Sequence, residues 1–387
     1  MHLVQEYAPA IGGMSEVVKQ LSERLVSMGH SVTVATGIHS DRKSEIINGV
    51  KIVSFSITGN YVMGYKGNTK AYEDFLLSSN FDVVTLFAAQ QWATDIALPI
   101  LNEIKGKKVF VPTGFSYLYN PIYTSYYEKM KVWMPQFDAN VFLSNGYRDI
   151  NFAKQSGVTK NFLIPNGAAE EEFDKPIEID IRKKLNIPED SFLILHVGSF
   201  TGAKGQPEAV KIFLKATIPN AVLLLAGHKN NLLKKLFTSH YRFIFLNLKK
   251  IFKRKKILIT ELTRQETIDA YKTANLFLFP SNIECSPIVL FECMAAKLSF
   301  VSSDVGNARE IAEWGGNGFI LPTEKDQLEW GEIKIKESAR MLKKIISDKK
   351  KLQQMGEKGH IAWKNNYTWQ KIANLYEKLY LTISQTN

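Results

Sequence analysis

Two carboxylates, Glu284 and Glu292, are separated by seven residues in the stretch 280–292, which reads Pro-Ser-Asn-Ile-Glu-Cys-Ser-Pro-Ile-Val-Leu-Phe-Glu. A helix start lies between them, because Ser286 is a good N-cap and Pro287 suits the first helical position. The apolar run 275–279 just before reads as a buried strand. The order is therefore strand, loop, helix, with Glu284 in the loop and Glu292 about a turn and a half into the helix. In open α/β sheets, ligands bind at that end of the strands. A helix N-terminus adds unpaired N–H groups and a positive dipole end, which suit a phosphate. Taken alone, the stretch also reads as a capped amphipathic helix with both carboxylates in solvent.

Two other places have the residue types for anion chemistry. A strand at 192–197 leads into Gly198-Ser199-Phe200-Thr201-Gly202-Ala203-Lys204-Gly205 and then a helix. A glycine-containing loop with a lysine before a helix can hold a phosphate, although the Gly-Lys-Ser/Thr order of a Walker motif is absent. Lys204 is the cation of that loop. Near the N-terminus, Gly12-Gly13 closes a strand-to-helix turn, where paired glycines let backbone amides approach an anion.

The elements that must position these groups follow from length and pattern. The chain has 387 residues, too many for one core and enough for two α/β domains. Strands read at 31–35, 83–87, 109–111, 140–143, 192–197, 221–226, 276–279 and 300–302, with helical stretches between them. This alternation implies doubly wound parallel sheets. The strand reading at 2–5 is short for an opening strand, so chain is expected before residue 1. Residues 168–190 are charged and carry Pro176 and Pro188, as a linker does. Asp180 reads as the cap of a helix at 181–185 rather than as half of a metal-binding acid pair with Glu178, and no metal is expected. Eight aromatic residues crowd 113–137, and the segment reads equally well as core packing or as a sugar or membrane contact.

The formal net charge of +11 favours anionic partners. From 228 to 260 there is no acidic residue, and lysines and arginines interleave with Leu, Phe, Ile and Tyr. Such a basic amphipathic stretch suits an anionic membrane surface, and 229–256 is the expected contact. No nucleic-acid motif accompanies the charge, so nucleic acid is not an expected partner. No signal peptide or membrane-spanning run is visible, and the only cysteines are Cys285 and Cys293. A cytoplasmic protein, peripheral on the inner face of the cell membrane, is the expectation.

The segments 284–297 and 300–311, the latter reading Phe-Val-Ser-Ser-Asp-Val-Gly-Asn-Ala-Arg-Glu-Ile, together resemble the signature of the retaining glycosyltransferases of family 4. The Gly-Gly opening, the Pro165-Asn166-Gly167 close of the first domain and the 198–205 loop resemble the same family. The resemblance implies the GT-B architecture. Two Rossmann-like, doubly wound domains (1–167 for the acceptor, 168–365 for the nucleotide-sugar) would face a cleft, and a C-terminal helix at 366–387 would cross back onto the first domain. It implies transfer of a hexosyl or N-acetylhexosaminyl group from a UDP- or GDP-sugar to a glycan or lipid-linked saccharide, with no cofactor beyond the donor. Glu284 would touch the donor sugar near the reacting carbon. Glu292 would accept from the ribose hydroxyls. Gly13, Ser199, Lys204, Ile288, Val289 and Arg309 would complete the donor contacts. Two positions depart from the family's pattern: Ser199 stands where an arginine is usual, and Thr113 where a histidine is usual. The competing readings are a sugar-nucleotide isomerase on the same fold and a non-catalytic glycan- or membrane-binding scaffold.

Overall fold

In this computed structural model, the described residues are 1–227 and 255–385. Most of the basic segment expected at a membrane, 229–256, lies outside them; Lys255 and Lys256 open a strand. The chain divides into two compact units, Met1–Gly167 with Tyr367–Asn387, and Ala168–Asn366.

The first unit holds β1 (His2–Leu3), β2 (Thr33–Gly37), β3 (Ile46–Ile47), β4 (Val50–Phe55), the hairpin β5 (Ile57–Asn60) and β6 (Gly64–Gly67), β7 (Val83–Phe87), β8 (Lys107–Val111), β9 (Ala139–Phe142) and β10 (Asn161–Leu163). Its main sheet runs β10-β9-β8-β7-β1-β2-β4-β3 and is parallel except at β3. The helix Gly13–Ser27 buries Val17, Val18, Leu21 and Leu25, a spacing that keeps one stripe on the core. The last helix, Trp369–Gln385, packs on that helix, and the Tyr380 hydroxyl bonds Thr85 Oγ1 at 2.7 Å. The aromatic segment resolves into two groups. Phe115, Tyr123, Tyr126, Tyr127, Trp133 and Phe137 are buried, while Tyr117 and Tyr119 stay exposed.

The second unit holds β11 (Phe192–Val197), β12 (Ala221–Ala226), β13 (Lys255–Thr260), β14 (Leu276–Phe279), β15 (Phe300–Ser302) and β16 (Gly318–Ile320), followed by the hairpin β17 (Thr323–Lys325) and β18 (Gly331–Ile333). The sheet order is β13-β12-β11-β14-β15-β16, parallel throughout. Its central strands are apolar apart from His196, whose Nδ1 lies 2.8 Å from Leu278 O, because a parallel sheet covered on both faces has no solvent side to alternate toward. Asp180 caps the helix Ile181–Lys184, its carboxylate accepting from Lys183 N at 3.0 Å.

Candidate active site

Three loops leave the same edge of the second sheet. They follow β11, β14 and β15, and each leads into a helix: Gln206–Lys215, Ile288–Ala295 and Ala308–Gly315. The first two loops are laced together. Asn282 N donates to Ala203 O at 2.9 Å, and Ser281 Oγ lies 3.0 Å from the same oxygen. Gly205, at φ +74°, lies so close to the next loop that a Cβ there would sit 1.8 Å from Pro280 O. Only glycine meets both the left-handed backbone and that approach. The third loop joins through Asn307 N, which donates to Cys285 O at 2.8 Å.

This lacing brings Lys204 and Glu284 together. Lys204 Nζ donates to Glu284 Oε1 at 2.7 Å, and Ser281 Oγ donates to that oxygen at 2.8 Å. The Glu284 side chain is 9% exposed and that of Lys204 31%. A cation half-open to solvent and a carboxylate pinned from two sides form a pair that an incoming phosphate can compete for.

The helix carrying Glu292 starts one residue later than the sequence suggests. Pro287, not Ser286, is the N-cap, its carbonyl accepting from Leu290 N at 3.1 Å. The physical reason is that Ser286 Oγ accepts from Asn307 Nδ2 at 3.2 Å, so the hydroxyl serves the neighbouring loop. No side chain caps the helix, and its first two residues are Ile288 and Val289. The opening N–H groups of such a helix lack intrahelical partners, which is the condition for binding an anion there.

Glu292 is 4% exposed. Its Oε1 accepts from Arg264 Nη1 at 2.6 Å. The same guanidinium grips Glu172 with Nε, at 2.9 Å, and with Nη2. Burial alone would lower the Arg264 pKa, but Glu292 and Glu172 more than reverse this and hold it above its ordinary value. Sequence reasoning missed Arg264. One signal was available: Thr263 and Glu266 form a capping box, which puts Arg264 in the first turn of a helix. A cation at the positive end of a helix dipole is disfavoured unless acids surround it.

Two of the remaining expected residues, Ser199 and Arg309, have partners of their own. Ser199 is exposed, and its carbonyl accepts from Thr201 N at 2.8 Å and Gln206 Nε2 at 3.2 Å. Arg309 is engaged by Asp304, with Nη2 at 2.6 Å from Oδ2. Gly13 begins its helix in the first unit, after Gly12. A Cβ on either glycine would meet nothing within 4 Å. Gly12 has extended backbone, so neither conformation nor packing demands glycine there, and the turn leaves open space.

After β8 the backbone is left-handed at three successive residues, Thr113, Gly114 and Phe115, with φ of 58°, 98° and 49°. Such conformations persist only where surroundings enforce them. Here the buried carboxylate of Asp149 accepts from Gly114 N at 2.8 Å. Burial pushes the Asp149 carboxyl up from the ordinary 3.8 to about 6. A pKa raised in the folded state means stability that is present below about pH 4 and lost as pH rises through 6, by roughly 3 kcal/mol at most. Asp149→Asn therefore flattens the fall in thermal midpoint between pH 4 and 7. A slope equal to that of the unmodified protein would remove Asp149 as its source.

Among the described residues, no group of three or more His, Cys, Asp or Glu side chains is placed to hold a metal ion. No helix among them is long and apolar enough to cross a membrane.

Residues 178–361 match the family described as Glycosyl transferases group 1. Over 371 residues the chain is 25% identical to an uncharacterized glycosyltransferase of Methanocaldococcus jannaschii, covering 89% of this chain and 91% of that protein. It is 22% identical over 250 residues to the lipopolysaccharide 1,2-N-acetylglucosaminetransferase of Salmonella typhimurium, covering 63% of this chain and 62% of that protein. Among solved structures, sucrose-phosphate synthase of Thermosynechococcus elongatus is similar at a TM-score of 0.79 and 18% identity, covering 100% of this chain and 99% of that one. Anabaena HepE in complex with UDP-glucose is similar at a TM-score of 0.74 and 14% identity, covering 98% and 99%. At these identities the solved structures establish the fold.

Proposed function

We infer that this protein, which has the GT-B fold and matches the glycosyl transferases group 1 family over residues 178–361, transfers a sugar with retention of configuration, as in family 4, from a UDP- or GDP-sugar to a glycan or lipid-linked saccharide. The observation that carries this reading is the Lys204–Glu284 pair at 2.7 Å, held by two laced loops of the sheet edge that also carries the uncapped helix at Ile288. Lys204 and the first-turn amides of Ile288 and Val289 neutralise the donor diphosphate and make it a better leaving group. Glu292 accepts from the ribose hydroxyls, and Glu284 contacts the donor sugar beside the reacting carbon. Arg309 reaches the phosphates only by leaving Asp304, so Lys204 carries most of the charge where Ser199 replaces the usual arginine. On the first unit, the open space at Gly13 admits the acceptor.

In the transfer step, the bond from the anomeric carbon to the diphosphate oxygen breaks, and a bond to the acceptor hydroxyl oxygen forms on the same face. The hydroxyl proton passes to the departing phosphate oxygen. That route uses no protein base, which is consistent with Thr113 in place of a histidine.

Two relatives, the lipopolysaccharide 1,2-N-acetylglucosaminetransferase of Salmonella typhimurium and a capsular polysaccharide biosynthesis glycosyltransferase of Staphylococcus aureus, support an acceptor in surface-glycan assembly. The basic stretch 229–256 supports a peripheral site at an anionic, cytoplasmic membrane face. A thermal-shift screen with UDP, GDP, ADP and their sugars tests the donor reading. The expected result is a rise in midpoint with one nucleoside diphosphate and its sugar. A flat response to all of them would refute it.

A further inference from the structure

We propose that Arg264 is a positioning residue that fixes Glu292 for the donor's ribose, with Glu172 setting the plane of its guanidinium. The proposal rests on the reading of Glu292 as the ribose acceptor and adds the device that makes it selective.

The geometry is a three-part clamp. Glu172 takes two parallel bonds from Nε and Nη2, which fixes both the position and the plane of the guanidinium. The remaining nitrogen, Nη1, is then aimed at Glu292 Oε1, 2.6 Å away. Glu172 is itself held from behind. Lys272 Nζ donates to the Glu172 carbonyl at 3.2 Å and to the Lys175 carbonyl at 2.7 Å, and Phe173 packs edge-on against Tyr271. The clamp thus joins three segments that are distant in sequence: the short helix Glu170–Phe173, the start of the helix Arg264–Thr273, and the helix bearing Glu292.

The consequence is chemical. A carboxylate as buried as Glu292 needs a cationic partner to hold it in place. Arg264 holds Oε1 and the buried Tyr271 hydroxyl also faces this carboxylate, so a ligand hydroxyl is met by the lone pairs that these two leave. An ionised carboxylate can only accept, so it rewards a hydroxyl and gives nothing to a hydrogen at the same position. A site built to bond a hydroxyl rejects the analogue lacking it. Arg264 thereby acts on ribonucleotide against deoxyribonucleotide, not on the diphosphate. Lysine cannot replace it, because an ammonium lacks the planar fork that bonds two carboxylates at once.

The test is calorimetric binding of UDP and GDP, their 2′-deoxy and 3′-deoxy counterparts, and inorganic pyrophosphate. The proteins are the unmodified chain, Arg264→Gln, Arg264→Lys, Glu172→Gln and Glu292→Gln. The expected result is a preference for a ribonucleotide of about tenfold to a hundredfold in the unmodified protein. That preference should be lost in Arg264→Gln, Arg264→Lys and Glu292→Gln and partly lost in Glu172→Gln, with pyrophosphate affinity unchanged in all four. Should Arg264→Gln fail to fold, Arg264→Lys and Glu172→Gln keep the cation and carry the comparison. A full preference in the Arg264 variants, beside its loss in Glu292→Gln, would overturn the proposal alone. Equal weakening of every ligand, pyrophosphate included, would do the same by making Arg264 merely structural. A full preference in Glu292→Gln would overturn the ribose reading and the proposal with it.

Discussion

Glu284→Gln leaves the protein folded and lowers sugar transfer at least about 100-fold. The fold survives because the amide keeps the size of the side chain and an oxygen for Ser281 Oγ, which now donates to Oε1 at 2.8 Å. Lys204 loses its ion-pair partner but remains 31% exposed, so water can take over. The loss of stability should stay within about 1 kcal/mol. The rate falls because a neutral amide cannot stabilise the positive charge that develops at the anomeric carbon as the leaving group departs. Affinity for the nucleoside diphosphate should hold or rise, since the carboxylate no longer competes with phosphate for Lys204. Initial rates and calorimetry on the same preparation separate the two effects. Unreduced turnover in this variant would exclude Glu284 from the chemistry.

The second large effect belongs to Lys204→Met. Methionine keeps most of the stem and removes the charge. A charge-assisted hydrogen bond contributes about 1.5–3 kcal/mol, so diphosphate affinity should fall by roughly tenfold to a hundredfold. The free nucleoside, which has no phosphate to meet the ammonium, should bind as before. This substitution also strands Glu284, whose side chain is only 9% exposed, without its cation. A stability loss of about 1–3 kcal/mol should accompany it, in contrast to the small loss from the reverse change. Unaltered diphosphate binding would remove Lys204 from the phosphate site.

The sequence was legible where local pattern decides structure. The strands Phe192–Val197, Ala221–Ala226 and Leu276–Phe279 read off directly, because a strand buried on both faces is an apolar run with sharp ends. The hairpins β5–β6 and β17–β18 were not legible. Ile57–Asn60, Gly64–Gly67 and Thr323–Lys325 are three or four residues long, glycine-bearing or polar, and carry too little periodicity to stand out. Within the candidate site, the spacing of Glu284 and Glu292 and the loop holding Lys204 pointed to loops that follow strands of the second sheet, and the structure brings Lys204 and Glu284 together there. The contact between Lys204 and Glu284 spans 80 residues and had no local cue. For Arg264 the capping box around it was a local cue, but both of its acids arrive from other helices. The aromatic segment could not be divided by type alone. Phe115 is buried against Tyr127 and Phe152, while Tyr117 and Tyr119, two and four residues on, reach solvent.

The first unit is assembled from both ends of the chain, Met1–Gly167 and Tyr367–Asn387, whereas the second is one continuous stretch, Ala168–Asn366. Translation therefore delivers these units out of order. The ribosome has supplied all of Ala168–Asn366 while the earlier-born lobe still lacks the helix Trp369–Gln385 that lies on Gly13–Ser27. Until that helix has been made, the earlier-born lobe waits with the side chains it packs on uncovered, and the later-born one can finish first.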